Sequence, residues 1–238
     1  MQSIHNYMGN YAGFLQRFLD QGYEFVFFSE LNNPNGQIAL RHDIDFDTEY
    51  ALRSAEVEHA LGIKSVYFFL LRHEFYNPFA GEAYRHITAI RDMGHQVSVH
   101  FDPTLYEDFE TGLAEECRFF ENVFGSKVSL ISFHRPAPAF QNLDAPIGGV
   151  DHTYRSKWFR DIKYFADSTG AWRFGHPHDS EEFAVGKTMQ IVTHPIWWFV
   201  EGSSNLEVLK SYYYRKQTLL KELCAQNSIP FKSIVAEI

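Results

Sequence analysis

Two aspartates, Asp43 and Asp45, stand at the end of an apolar stretch that we interpret as a β-strand, residues 37–45. Side chains alternate between the two faces of a strand, so both carboxylates lie on one face and converge, while Ile44 points the other way. Two carboxylates held this close repel each other unless a cation or a shared proton lies between them. The alternative is structural: one aspartate caps the following helix and the other pairs with Arg41.

An imidazole occupies a matching position on a second predicted strand, residues 95–102. Alternation places His100 and Asp102 on one polar face of this strand, together with Gln96 and Ser98. A single histidine in such a place is more often a hydrogen-bonded structural residue than a ligand. Here it follows one βα unit after a strand-end pair of aspartates, and that pairing favours a metal-ligand role.

A second imidazole, His194, precedes Pro195 and the adjacent indoles of Trp197 and Trp198. Pyranose rings stack their C–H faces on aromatic rings, and a histidine with a pKa near neutrality can give up a proton. The segment therefore has the composition of a sugar-binding site with a proton donor. His152 stays ambiguous. The remaining histidines without such neighbours are interpreted as surface or loop residues: His5, His59, His73, His86, His176 and His178.

Predicted strands and helices alternate along the chain, which indicates one α/β domain with a parallel sheet, closed or open. The strands are predicted at residues 23–28, 37–45, 64–70, 95–102, 128–134, 162–167 and 189–194. The helices are predicted at residues 7–18, 47–61, 82–93, 104–124 and 203–226. Residues 136–150 form a loop too long for a simple connection, so we expect it to be a lid or rim.

In parallel α/β folds, functional side chains collect at the C-terminal ends of the strands, where the loops are free to vary. Polar residues follow several of the predicted strands in this way. They are Asp43, Asp45, His100, Asp102, His134, Arg135, Asp167 and His194. We therefore expect these side chains, which are far apart in the chain, to meet at one end of the sheet.

Composition excludes several classes of partner. The chain has 238 residues, a net charge of −9 and no cluster of lysines and arginines, so a nucleic-acid backbone or an anionic membrane would be repelled. The sequence contains no apolar run of membrane-spanning length and no basic leader. Cys117 and Cys224 form no metal motif and are interpreted as reduced, buried thiols. We expect a cytoplasmic protein of undetermined oligomeric state.

Between about residues 37 and 198 the order of motifs resembles the polysaccharide deacetylases of carbohydrate esterase family 4. Asp43-Ile44-Asp45 looks like the first motif, which implies that Asp43 is the catalytic base and Asp45 a metal ligand. The run from Gly94 to His100 is similar to the segment that leads to the first metal histidine. The resemblance implies a distorted (β/α) barrel of about seven parallel strands over residues 1–238, with residues 1–36 as an N-terminal helix and strand extension.

Three later motifs complete the resemblance. Phe133-His134-Arg135-Pro136 looks like the third motif, whose arginine orients the base, and Asp167 with Trp172 resembles the fourth. Thr193-His194-Pro195 is similar to the last, whose histidine is the general acid. We expect Asp167 to orient His194 or to raise its pKa.

One position departs from the family. Its second metal histidine comes four residues after the first, where this chain has Thr104. The third ligand must then come from elsewhere, and we favour His134, followed by Asp102 and more distantly by His152.

The resemblance implies a metal-dependent hydrolase, with zinc the most plausible ion, that removes an N-acetyl group from an amino sugar during surface polysaccharide or glycan synthesis. Trp197, Trp198 and Asp102 would contact the sugar. Two alternatives stay open. One is a hydrolase of the same fold that cleaves a non-sugar amide, and the other is a catalytically silent carbohydrate-binding protein.

Overall fold

The computed structural model describes residues 6–234, and its centre is a parallel β-sheet. Its strands are β1 (Glu24–Phe25), β2 (Gln37–Ile44), β3 (Val66–Phe69), β4 (Gln96–Phe101), β5 (Leu130–Phe133), β6 (Asp151–His152), β7 (Lys163–Ala166) and β8 (Met189–Thr193). Seven strands pair in the order β6-β5-β4-β3-β2-β8-β7, and β1 pairs with the start of β2. All these pairs are parallel. The seven strands curl into a half-barrel, which confirms the predicted fold class.

Helices connect the strands and cover the convex face of the sheet. They are α1 (Tyr11–Asp20), α2 (Thr48–Ala60), α3 (Gly81–Asp92), α4 (Phe109–Phe124), α5 (Pro138–Gln141), α6 (Ser156–Phe159), α7 (Glu181–Ala184), α8 (Ile196–Phe199), α9 (Asn205–Asn227) and α10 (Ile229–Ile234). Among residues 6–234, no helix combines the length and the apolar character that crossing a membrane requires.

Some predicted elements are shorter in the structure than in the prediction. The strand predicted at residues 23–28 is only two residues long in the structure, β1, because Phe28–Glu30 forms a 3₁₀ helix. The helix predicted at residues 104–124 begins only at Phe109, because the Asp108 side chain accepts from the backbone N–H groups of Glu110 and Thr111 and caps it there. The capping hydrogen bonds of Asp108 therefore determine where α4 begins.

The two faces of the sheet differ in composition. Strand register puts Arg41 beside Val66 on β3 and Val192 on β8, so these side chains share the concave face. The apolar floor of that face consists of Ala39, Val66, Phe68 and Leu130, with Phe28 and Trp158 against them. Larger apolar clusters pack the convex face against the helices. Burial of each large side chain there stabilises the fold by roughly 1.5–3 kcal/mol.

Helix α1 is part of the body of the protein. Its Phe14, Leu15 and Phe18 are buried in the apolar cluster that also contains residues of β2 and β8. The Asn10 side chain caps the helix by accepting from the Gly13 N–H. The predicted N-terminal helix is therefore present, and it supports the strands that carry the polar residues.

Candidate metal centre and active site

The polar residues that follow the strands meet at one end of the half-barrel, at the mouth of a cavity of about 590 Å³. Asp43 and Asp45 reach this cavity from β2, His100 from β4, His134 from β5 and His194 from β8. All five belong to the strand-end residues predicted to meet. The prediction that these side chains meet at one end of the sheet is therefore confirmed for these five.

Three side chains offer ligand atoms for one metal ion. Oδ1 of Asp45 lies 3.2 Å from Nε2 of His100 and 3.5 Å from Nδ1 of His134. All three ligand atoms lie within 4.8 Å of one another. A tetrahedral zinc ion with bonds of about 2.0–2.2 Å separates its ligands by about 3.3–3.5 Å. Asp45, His100 and His134 thus form a candidate metal site.

The protonation of this cluster also suits a cation. Nδ1 of His100 lies 3.3 Å from the carbonyl oxygen of Ser132, and this contact orients the ring so that Nε2 faces Asp45. Burial raises the pKa of Asp45, but His100 and His134 outweigh it and bring the pKa well below its usual value. Its Oδ1 is buried without a hydrogen-bond partner in residues 6–234. A buried, ionised carboxylate beside two imidazoles fits a divalent metal.

The second aspartate of the motif, Asp43, is held by Arg41. Nη2 of Arg41 lies 3.5 Å from Oδ2 of Asp43, and both side chains are buried. Burial raises the pKa of Asp43, but the charge of Arg41, followed by that of His100, more than offsets this effect, and the pKa falls below its usual value. Oδ1 of Asp43 has no hydrogen-bond partner in the described chain. An ionised carboxylate with one unpaired oxygen can accept a proton.

The structure does not place Arg135 in the orienting role that the resemblance implied. Its side chain is exposed on the cavity rim, and the ion pair found at Asp43 is with Arg41. Arg41 lies two residues from Asp43 on the same face of β2, so alternation could have identified it. The structural alternative for the aspartates was half correct: Arg41 pairs with Asp43, but Asp47 caps α2.

His194 forms a dyad with a buried aspartate. Nδ1 of His194 lies 2.6 Å from Oδ1 of Asp167, which is fully buried and also accepts the backbone N–H of His194. Burial lowers the pKa of His194, but its hydrogen bond and charge interaction with Asp167 prevail and raise the pKa to about 9. Nε2 of His194 lies 3.7 Å from Oδ2 of Asp45. A protonated imidazole therefore stands beside the metal triad, with Asp167 holding it as predicted.

The solved structures that match this chain include three bacterial proteins. A carbohydrate esterase family 4 pseudoenzyme from Bacillus anthracis is 16% identical, with a TM-score of 0.42, over 78% of this chain and 63% of that chain. The peptidoglycan deacetylase PdaC from Bacillus subtilis is 12% identical, with a TM-score of 0.44, over 83% and 100%. A family 4 carbohydrate esterase from Bacillus anthracis is 15% identical, with a TM-score of 0.44, over 92% of each chain.

The matches are to the family that the motifs resemble. Their identity is low, and this chain spans less than two thirds of the length of the pseudoenzyme. No protein-family model matches the sequence, and no curated protein matches it either.

The two predicted tryptophans differ in position. Both indoles are almost fully buried, at 4% and 3% exposed, but Trp197 lines the cavity, whereas Trp198 packs away from it against Tyr11 and Phe14. The Trp198 indole N–H donates to Oδ2 of Asp167 at 2.9 Å. A sugar-contact role for Trp198 is therefore wrong. Adjacent residues of the short helix α8 point in different directions, and only one can face the cavity.

Two further predicted residues lie apart from the cavity. Asp102 accepts from the backbone N–H and the hydroxyl of Thr104, so it caps the 3₁₀ turn Pro103–Leu105 and is neither a metal ligand nor a sugar contact. His152 is buried, with Nε2 3.1 Å from the carbonyl oxygen of Ala145. Of the three candidates for the third metal ligand, only His134 lies beside Asp45.

The histidines interpreted as surface or loop residues fall into different places. The interpretation of His178 as a surface or loop residue is wrong. Its ring is buried against Phe14 and Phe18, and burial lowers its pKa to about 4. His73 follows β3, and its ring lies 6.2 Å from that of His134, so the strand-end rule could have included it. His5 lies outside the described residues.

Sequence reasoning missed much of the aromatic wall. Tyr154, Phe159, Tyr164 and Phe174 line the same cavity as the metal triad. Tyr164 lies on β7, within the strand predicted at residues 162–167, whereas the other three come from short or irregular segments whose periodicity did not indicate which side chains turn inward. The segment predicted as a lid or rim does contribute Pro136 and Gln141 to the cavity.

Proposed function

We propose that this protein is a metal-dependent deacetylase that hydrolyses the N-acetyl amide of an amino sugar. The observation that carries the proposal is the grouping of Asp45, His100 and His134 between an ionised Asp43 and a protonated His194 in one cavity. Amide hydrolysis needs these elements together: a Lewis acid, a base for water and an acid for the departing amine.

A divalent metal bound by Asp45, His100 and His134 would polarise the acetamide carbonyl and make a water molecule more acidic. We favour zinc because two imidazoles and one carboxylate with open positions suit it. Oδ1 of Asp43 has no partner in the described residues, and it takes the proton of the attacking water. Arg41 keeps this carboxylate ionised and in place.

His194 acts on the other side of the reaction. With a pKa of about 9 it carries a proton at neutral pH, and it donates this proton from Nε2 to the amine that leaves. Asp167 binds Nδ1 and so fixes both the orientation and the tautomer of the ring. The buried Asp167 carboxylate thereby serves as a positioning residue.

A sugar suits the shape and the walls of the cavity. Its volume of about 590 Å³ falls within the usual range of about 300–1,000 Å³ for small-molecule sites. Aromatic side chains line it, with Trp197 on one side and Tyr164 and Phe174 on another. Aromatic rings pack against the C–H faces of pyranose rings. We place the substrate in surface polysaccharide or glycan synthesis as part of this proposal.

The test combines turnover with metal content. Purified protein is incubated with a panel of N-acetylhexosamines and their glycan derivatives, and acetate release is measured beside metal analysis. We expect acetate release that is abolished by a chelator and restored by zinc, together with nearly one metal ion per chain.

Two outcomes contradict the proposal. Metal-free but folded protein that binds sugars without releasing acetate would instead indicate a silent carbohydrate-binding protein. Hydrolysis confined to simple non-sugar amides would reject the sugar and retain the chemistry.

A further inference from the structure

We propose that Arg135 and Arg173 form an anion-binding rim of the cavity, so that the substrate is an N-acetylated sugar that carries a negatively charged group. This inference rests on the proposed function for the identity of the sugar. Both guanidinium groups line the same cavity as Asp43, Asp45 and His194. We call Arg135 and Arg173 the arginine rim.

The arginine rim is free to bind a ligand. Both side chains are exposed, and neither has an aspartate or glutamate at ion-pair distance within residues 6–234. The contact recorded for Arg173 is a 3.4 Å hydrogen bond from Nη2 to the hydroxyl of Thr169. By contrast, Arg41 is fully buried beneath the cavity and is already paired with Asp43. The two rim guanidinium groups therefore keep their donors for a partner.

Backbone strain is concentrated at the same two places. In residues 6–234 the non-glycine residues with positive φ are Arg135, at 47°, and Thr169, at 60°. This conformation is unfavourable for any residue with a Cβ atom, and most of all for a β-branched one. Both residues line the cavity. One carries a rim guanidinium, and the other accepts a hydrogen bond from the second rim guanidinium.

The rest of the structure holds the strained turn at Thr169 in place. Nδ2 of Asn205, at the start of α9, donates to the carbonyl oxygen of Thr169 at 2.9 Å. The hydroxyl of Tyr7 donates to the carbonyl oxygen of Gly170 at 2.8 Å. Strain that surrounding contacts maintain at a cavity wall is a common sign of a binding role.

The charge distribution favours an anion at this rim. The acidic residues that line the cavity are Asp43, paired with Arg41, and Asp45, which faces the two metal-ligand histidines. The wall also carries the two positive charges of the arginine rim. In a chain with a net charge of −9, this local positive region attracts an anion that the rest of the surface repels.

Guanidinium groups bind phosphate and carboxylate oxygens through paired N–H donors, so both anions share the required chemistry. The sugar would place its acetamide between Asp43 and His194 and its anionic group at the rim. The candidate substrates are therefore sugar phosphates, including phosphodiesters, and N-acetylated sugars with a carboxylate.

The test compares binding of three ligands by calorimetry: N-acetylglucosamine, N-acetylglucosamine 1-phosphate and N-acetylmuramic acid. We expect the wild-type protein to bind at least one of the charged ligands about tenfold more tightly than the neutral sugar, and the tighter of the two identifies the anion. Arg135→Gln and Arg173→Gln should each reduce that preference several-fold, and the double variant should abolish it. Arg173→Lys should retain part of it, because it keeps the charge but loses the planar fork.

Arg118→Gln is the matched control, because Arg118 is exposed on α4 and does not line the cavity. It should leave the preference unchanged. Equal affinity of the wild-type protein for neutral and charged ligands, or an unchanged preference in the double variant, would overturn the inference.

The binding measurement needs no turnover, so the two proposals fail separately. Charge preference without acetate release would reject the deacetylase and retain the arginine rim. Acetate release with equal kcat/KM for neutral and charged sugars would reject the arginine rim and retain the deacetylase.

Discussion

Buried carboxylates lie at both faces of the central strand β2, and they differ in how many hydrogen bonds they accept. On the concave face, Asp43 and Asp45 each keep one buried oxygen without a hydrogen-bond partner in the described chain. On the convex face, His42 points towards α2, where Nε2 lies 2.8 Å from Oε1 of Glu58. One strand therefore presents a reactive face and a structural face.

The Glu58 carboxylate shows what full pairing looks like. It is completely buried, and it accepts hydrogen bonds from the hydroxyls of Tyr11, Ser65 and Tyr67. Burial raises the pKa of Glu58, but His42 outweighs it and the pKa lies below its usual value. The Glu58 carboxylate connects α2 to the neighbouring strands through these contacts. The unpaired oxygens of Asp43 and Asp45 at the concave face can instead bind a proton or a cation. The number of hydrogen-bond donors around it, and not burial, separates the Glu58 carboxylate from those of Asp43 and Asp45.

The largest expected effect is on the concave face. Asp43→Asn removes the proton acceptor and should lower kcat for acetate release by about 10³-fold, within the roughly 10²–10⁴-fold range of general bases. The metal content should stay near that of the wild type, since Asp43 is not in the metal triad. Steady-state kinetics with metal analysis provide the check, and a variant as active as the wild type would remove Asp43 as the base.

A change on the convex face should affect stability instead. Glu58→Gln replaces a buried carboxylate that accepts hydrogen bonds from three hydroxyls, and it should lower the free energy of unfolding by about 1–3 kcal/mol. Urea denaturation measures this. Glu56→Gln, on the exposed side of the same helix, is the control and should change stability by less than about 0.5 kcal/mol. Equal effects of the two substitutions would show that the convex-face network is not structural.

Asp167→Asn should move the pH dependence of activity. His194 must be protonated to act as an acid, so activity falls as the pH rises through its pKa, which Asp167 raises to about 9. Without that carboxylate the pKa drops and the alkaline limb of the kcat profile shifts to lower pH. At pH 8 we expect a loss of at least about tenfold, smaller at pH 6. An unshifted alkaline limb would exclude His194 as the acid that Asp167 controls.

The smallest effect is expected for a substitution of Trp197, which also lines the cavity. Trp197→Phe keeps an aromatic ring in the cavity but reduces its area, and it should raise KM by roughly twofold to tenfold with little change in kcat. Trp198→Phe should instead alter kcat, because its indole N–H binds Asp167. Kinetics on the same sugar compare the two, and a KM effect confined to Trp198 would reverse the assignment of these residues.

Much of the fold could be predicted from the sequence because each strand is apolar, each following helix is amphipathic, and glycine often ends it. The same regularity located the site, since Asp45, His100 and His134 each follow a strand. Local hydrogen bonds explain the site residues that were predicted wrongly. Asp102 also follows a strand, but its carboxylate caps the turn after it and does not reach the cavity. No pattern indicated that Glu58 lies next to His42.

The choice between arginines illustrates the same limit. The motif order pointed to Arg135. In the structure Arg41, two residues before Asp43 on β2, forms the ion pair, and Arg135 lies on the cavity rim. Alternation puts Arg41 and Asp43 on one face of β2, but the order of motifs along the chain does not show which arginine reaches the carboxylate. The aromatic wall between β6 and α7 escaped prediction for a related reason, because its segments are short and irregular.

Anomalous diffraction from crystals of protein purified without chelator tests the central claim most directly. Data at the absorption edge of the metal found by elemental analysis should show one strong peak in the cavity. We predict that this peak lies about 2.0–2.2 Å from Oδ1 of Asp45, Nε2 of His100 and Nδ1 of His134. A cavity that holds water alone under zinc-saturating conditions, or a metal bound by other residues, would contradict the account.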